Sequence, residues 1–290
     1  MKIKIAVLLG IALVLALGLK LSPTNGVSSS QGDEGQRRLE SLAKDLKLDV
    51  GKITNSGTVQ NMVGIRSENV LFSQRRDSRT YFIQDARYGP DKNAGVFQGS
   101  DEMLVERSRS VLKVLDIPSD EISKANILRE KTQAGYIDRR TRKVVPEAPR
   151  DGKVYAEFWR QVSGVPVFSS RALVGLTKEG TVGFMELHWP VIPKATVEEG
   201  RRLQALVRGR WQPPSQKDAV VESVEAGIIH SPALGFVMDI YPAIRVIYRA
   251  ADYKVGRKMT LYLDGNGRPV PVPRQFEKVE TTPAKTRPRK

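Results

Sequence analysis

The sequence predicts an α+β protein in which antiparallel sheets wrap on single helices, as two helix-plus-sheet units behind an N-terminal export segment. Three observations predict it. Amphipathic helical spacing occurs around residues 33–47, 100–115 and 196–207, and each stretch precedes apolar, β-branched segments. From residue 153 onward those segments are separated by short Gly-containing turns, as in consecutive hairpins. The order of one helix and then three or more strands occurs at least twice, over 100–194 and 195–273. A sheet curved on a helix buries one apolar face of each.

The chain opens with Lys2 and Lys4, an uninterrupted apolar run over 5–19, then Lys20. That is the grammar of a signal peptide or membrane anchor over 1–21, with the body outside the cytoplasm. The run is a full-length signal core, yet it nearly spans a bilayer if extended past a snorkelling Lys20. Thr24-Asn25-Gly26 is a weak cleavage signal, so secreted and anchored forms both stay open. Residues 22–32 read as a Ser-rich linker, and 274–290, basic with Pro and Thr, as a disordered tail.

Residues 33–99 read as an N-terminal helix, with Leu39, Leu42, Ala43 and Leu46 on one face, followed by short strands. Strands are expected at 70–72 and 81–83 around a turn at 75–79, and turn chemistry at 88–93. Ser100 is a fitting N-cap for a second helix whose Leu104, Val111, Leu112 and Leu115 share a face, with Asp101 and Glu102 in its first turn. Strand-like residues follow at 125–131, then a basic loop centred on Arg139, Arg140, Arg142 and Lys143. Strands over 154–162, 165–176 and 181–191 come next. Thr196 and Glu199 form a capping-box pattern for a third helix with Leu203, Leu206 and Val207 inward. The last strands are expected at 220–229, 238–250 and 258–263, ending in the Asp264-Gly265-Asn266-Gly267 turn.

One stretch carries a resemblance. Val162-Ser163-Gly164-Val165-Pro166-Val167-Phe168-Ser169-Ser170 continues through Ala172-Leu173-Val174-Gly175-Leu176 to Glu179-Gly180-Thr181-Val182. This pattern resembles the propeptide module of thermolysin-like and fungalysin metalloproteases and is similar to the related PepSY domain. Glu198-Glu199-Gly200 after Thr196, with late strands at 244–248 and 260–263 before Asp264-Gly265, resembles a second PepSY-type unit. The resemblance implies two cystatin-like units: a propeptide-like one over 100–194 and a PepSY-like one over 195–273. In precursors such modules chaperone or inhibit the attached protease. The zinc-protease helix with its His-Glu-x-x-His pattern is absent from this chain, which implies a freestanding module.

Composition narrows the chemistry. With no cysteine there are no disulfides, thiolate catalysis or Cys-ligated zinc, so an exported body must hold together by burying a core. The net charge of +15 first suggests nucleic acid, which an exported protein rarely meets. The functional reading of that charge is contact with anionic wall polymers or lipid head groups through Arg139, Arg140, Arg142 and Lys143 and through Lys285, Arg287, Arg289 and Lys290, while simple solubility is the plainer reading of the tail. The two histidines, His188 and His230, lack metal-ligand spacing, and no metal or other cofactor is expected. Glu186 and His188 share a strand face, where acid–base work is possible in principle but a plain strand face is the better reading. His230, before Ser231-Pro232, reads as a turn. Ser41 with Lys44 matches Ser-x-x-Lys but lies on the first helix's apolar face without the companion motifs. Asp264-Gly265-Asn266-Gly267 lacks the distal Glu of a calcium loop.

The expected function is therefore non-enzymatic recognition of a protein or peptide outside the cytoplasm, a protease being the partner class the resemblance implies. Sheet-edge or loop pairing is the expected mode, at Gly164, Val165, Pro166, Val167 and Phe168. Trp189 and Trp211 are candidate stacking residues because Arg160, Arg208 and Arg210 are basic companions for a surface Trp. The alternatives are an envelope scaffold held electrostatically and a hydrolase using paired carboxylates.

Overall fold

A computed structural model describes residues 29–59, 62–75, 79–133, 135–137, 140–209, 211–230, 239–250 and 258–271. These residues form an α+β protein, a large and mainly antiparallel sheet with three helices. Compactness divides the chain into two units. The first takes the described residues up to Ile117, with Ala125–Phe158 and Ala172–Leu187. The second takes Pro118–Lys124, Trp159–Arg171 and the described residues from His188 on. The division cuts through long strands, unlike the boundaries at 99/100 and 194/195 expected from the order of helices.

In the first unit, helix α1 (Ser29–Asp45) lies on the meander β1 (Ile53–Val59), β2 (Met62–Ser67), β3 (Val70–Arg75) and β4 (Thr80–Asp85). Leu39 and Ala43 are fully buried, and Leu46 nearly so, because spacings of three and four residues put them on one helix face. The helix starts at Ser29, inside the expected 22–32 linker. The predicted strands at 70–72 and 81–83 are the centres of β3 and β4, while turn residues 76–78 lie outside the described set.

Helix α2 (Asp101–Val114) starts as its sequence dictates, with the Ser100 hydroxyl accepting from the Met103 amide at 3.3 Å. Its Leu104 and Leu112 are buried, while Arg109 lies over the Phe158 ring. A 3-10 turn at Ser119–Glu121 leads into β5 (Ile122–Thr132). Part of the expected basic loop is instead a small hairpin of β6 (Gly135–Ile137) and β7 (Val144–Pro146). Then come β8 (Arg150–Val162), β9 (Val165–Leu176) and β10 (Val182–His188), the three strands expected after residue 153. The last ends at His188 rather than residue 191, before Trp189 and Pro190. In hydrogen-bonded order β10 stands between β4 and β9, and β8 between β9 and β5.

Tyr88 closes this unit's core. Its ring lies over Gly175 and Gly183, where an added Cβ would come within 2.5 Å of it, and its hydroxyl donates to the Val154 carbonyl at 2.7 Å. Tyr155 and Phe184 pack edge to face, centroids 5.3 Å apart, and the Tyr155 hydroxyl donates to Glu130 at 3.0 Å. Burial holds both phenols well above their ordinary pKa, most strongly through loss of water around the charged form.

In the second unit, α3 (Lys194–Arg208) packs on β11 (Ala219–His230) and β12 (Ile240–Ala250). β11 runs parallel to the first half of β9 and antiparallel to β12, which pairs antiparallel with β13 (Lys258–Leu263). One cluster under the helix joins Val165, Val167, Val197 and Ile228; another joins Leu203, Ala226, Ile244, Val246, Tyr248 and Leu263. The expected Thr196–Glu199 capping box does not form. Pro193, held at φ −60°, occupies the N-cap, so the helix starts two residues before Thr196, and Glu199 pairs with Arg202. Leu206, expected inward, is exposed, whereas Leu203 is buried and Val207 half-buried.

Candidate functional site

The most connected polar cluster among the described residues is buried in the second unit. Arg160, near the end of β8, is 3% exposed. Its Nε and Nη2 donate to Glu121 Oε2 at 2.9 and 2.8 Å, and its Nη1 donates to the Pro190 carbonyl at 2.6 Å. Trp189, fully buried, donates its indole N–H to the same Glu121 oxygen at 2.8 Å, and the guanidinium carbon stands 5.1 Å from its ring centroid. Arg160 Nη1 also donates, at 3.4 Å, to Ser170 Oγ, which lies 2.9 Å from His230 Nε2. A Ser170 hydroxyl that accepts from Arg160 can still donate its own proton, so it can serve both neighbours.

A serine beside an imidazole is the start of a nucleophilic site, but Ser170 and His230 are 0% and 1% exposed. In this arrangement no substrate carbon can reach Ser170 Oγ. The cluster is a clamp: one carboxylate and one guanidinium tie the 3-10 turn, β8, β9 and the segment before α3 together. His230 is thus a buried strand end rather than the expected turn residue, with its amide donating to Ser169 Oγ at 2.7 Å. Trp189, expected as a stacking residue at the surface, is core.

The 163–168 hairpin is equally committed to the fold. Ser163 and Gly164 form its turn with φ of 50° and 80°, both exposed. Their carbonyls accept from Arg201 and Gln204 of α3. Val165 and Val167 are buried under α3, and Pro166 is half-buried. Phe168 lies on the opposite face over Gly227, where a Cβ would meet the Pro166 carbonyl at 2.5 Å. It packs beside Tyr262 and under the Arg245 guanidinium, 4.3 Å from the ring centroid. Because β8 and β11 flank β9 here, the expected edge at 164–168 is an interior strand, and strand addition there is closed. Trp211 packs against the Leu203 cluster and donates to the Gly265 carbonyl at 3.1 Å, so it too is structural. Nothing brings the expected binding residues together into one surface patch.

The edges that remain are elsewhere. β13 is partly covered by its own return, where the Val270 amide donates to the Tyr262 carbonyl at 2.9 Å. β5 is an edge strand carrying Lys124, Arg129, Glu130 and Lys131, charges that discourage further pairing. β1 is different. Its sequence, Ile53-Thr54-Asn55-Ser56-Gly57-Thr58-Val59, has no charge and no proline, and among the described residues only β2 pairs with it. Thr54 and Asn55 are exposed, and a Cβ at Gly57 would meet nothing within 4 Å. The signal available in the sequence was this uncharged run in a chain that is 27% charged.

Of the basic candidates, Arg140, Arg142 and Lys143 are exposed between β6 and β7, and Arg142 has a φ of 57°. Arg139, Arg210, Lys285, Arg287, Arg289 and Lys290 lie outside the described residues, as does the apolar run at 5–19. Among the described residues no helix is long and apolar enough to cross a membrane, and no group of three His, Asp or Glu could hold a metal ion. Asp264 accepts from the amides of Asn266 and Arg268, which closes its turn.

No protein-family model and no curated protein matches the chain. A solved structure of an uncharacterised protein from Eubacterium rectale is similar over 84% of this chain and 83% of that one, at 13% identity and a TM-score of 0.44.

Proposed function

We propose that the chain is an extracytoplasmic, non-enzymatic binding module of the propeptide-like, cystatin-like kind, and that it takes up an extended segment of a protein partner along β1. The uncharged, proline-free edge of β1, regular from Asn55 to Val59 beyond a bulge at 53–55, carries this reading. Such an edge offers a row of backbone donors and acceptors, and strand addition supplies affinity through main-chain bonds that salt screens little. A protease is the partner class favoured by the resemblance of residues 162–182 to inhibitory propeptides. The exposed Arg140, Arg142 and Lys143 favour a second reading, a scaffold held to anionic wall polymers or lipids.

One experiment separates the two. The purified chain is used to capture ligands from the host's envelope and culture fluid at low and high salt, with amide hydrogen exchange of the resulting complex. A protein retained at high salt that slows exchange across 53–59 is the expected result. Retention that salt abolishes, or that the triple variant Arg140→Glu, Arg142→Glu, Lys143→Glu abolishes while β1 exchange is unchanged, overturns the strand-addition reading in favour of the scaffold.

A further inference from the structure

We propose that, when no other partner occupies it, the β1 edge is held by β1 of a second copy of this chain, paired antiparallel about a twofold axis through Ser56. The inference rests on the reading of β1 as an accepting edge. It comes from the self-complementarity of the strand.

With the axis at Ser56, residue 55 faces 57 of the other copy, 54 faces 58, 53 faces 59, and 56 faces itself. An isologous contact of this kind uses the same patch on both copies and closes, so it does not propagate into fibres. Each opposition is one that sheets favour or tolerate: Thr with Thr, Ser with Ser, Ile with Val, and Asn with Gly. The chain carries +15, and any charged residue near such an axis would meet its own like charge. β1 has none. Along the strand the nearest, Lys52, is roughly 25 Å from its equivalent at strand spacing; the exposed Arg66, beside Asn55 on β2, comes to roughly 16 Å of its own across the three strand gaps, and both are beyond a Debye length of screened repulsion.

The two faces of the strand also suit the pairing. Ser56 opposes Ile65 of β2, on the face covered by α1, and its hydroxyl donates to Gln36 Oε1 at 3.0 Å. Asn55 and Gly57 alternate to the other face, where Asn55 is exposed and Gly57 has open space. A partner strand therefore meets no bulky side chain there. β1 has a bulge between Ile53 and Asn55 and then pairs with β2 in unbroken register from Asn55 to Val59, so the regular heart of the contact is 55–57 about the axis.

The test is the mass of the purified chain in solution, by light scattering during size exclusion at roughly 100 µM, a concentration that populates modest strand-pairing affinities. A dimer is expected. Asn55→Lys with Gly57→Lys places lysine opposite lysine twice and should give monomers, as should Asn55→Glu with Gly57→Glu. Mixing the two variants in equal amounts should restore a dimer, because each lysine then faces a glutamate. Both positions are open, so the variants are expected to keep the wild-type fold, read as an unchanged circular dichroism spectrum. Ser56→Cys adds an independent readout. The chain has no cysteine of its own, so mild oxidation should give one covalent dimer, residue 56 to residue 56, within disulfide reach of paired strands. A monomeric wild type, charge variants that still dimerise, or Ser56→Cys that stays monomeric on oxidation each overturn the proposal. If the wild type is monomeric and a captured protein still protects 53–59 from exchange, the second copy is excluded but the binding-module reading stands. If nothing protects 53–59, both fail.

Discussion

Glu121 illustrates how much of this fold turns on single side chains. Its carboxylate serves Arg160 and Trp189 at once, and the Arg160 side chain it neutralises is 2% exposed. Removing one partner of a buried ion pair leaves a charge without its counterion, a loss of about 3 kcal/mol. Glu121→Ala should therefore lower the urea midpoint sharply, whereas Arg160→Met with Glu121→Gln should recover much of the loss. If Glu121→Ala matched the wild type, the clamp would be no structural element. The sequence shows all five members of the cluster but not their meeting. Glu121 is 39 residues from Arg160, and Ser170 is 60 from His230, separations that no periodicity bridges. The turn-favouring Ser231-Pro232 after it drew the sequence reading of His230 towards a turn, whereas the histidine is the last residue of β11.

At the scale of elements, local chemistry was the better guide where it was satisfied locally. Ser100, Asp101 and Glu102 specify the start of α2 by themselves, and the Glu102 carboxyl is held below its usual pKa by amide bonds at the helix start and by Ser100. Ser100→Ala should cost about 1 kcal/mol, read as a lower chemical-denaturation midpoint, and Ser100→Asp should restore it. Thr196 and Glu199 show the contrary case, because Pro193 starts α3 earlier and takes the capping position. The hairpin from β8 to β9 was legible from Ser163-Gly164 and its flanking apolar runs. Its surroundings were not. Whether a strand is central or at an edge depends on partners far along the chain, and β11, which closes β9, lies about 60 residues downstream of it. The expected edge at 164–168 is thus an interior strand, while the plain polar run of β1 drew no notice.

For the whole molecule, the core chooses the pH range in which the fold is stable. Tyr88 and Tyr155 are buried phenols whose folded pKa lies above the ordinary value of 10.0. Above pH 10 the unfolded chain loses those protons while the folded one keeps them. Stability is therefore full below that pH and declines as pH rises from it towards the folded values. Thermal midpoints measured from pH 8 to 11 should fall at the alkaline end, and less steeply in Tyr155→Phe. A flat profile, or one unaltered in the variant, would contradict the burial of these hydroxyls. The α+β class followed from composition and periodicity, but the division into two compact units did not, because it runs through β8 and β9 rather than between helices.

That division bears on the order in which the molecule can be completed during synthesis. The backbone crosses between the units five times, and the first unit's last contribution, Ala172–Leu187, follows two stretches that belong to the second. β4 ends at Asp85, yet β10, its neighbour in the sheet, begins only at Val182. A ribosome adding about 5–20 residues per second leaves the open side of β4 waiting several seconds for its partner. The N-terminal portion therefore cannot mature as an independent body while the rest is being made. Delivery across a membrane in the unfolded state, with folding afterwards, would spare the chain that interval.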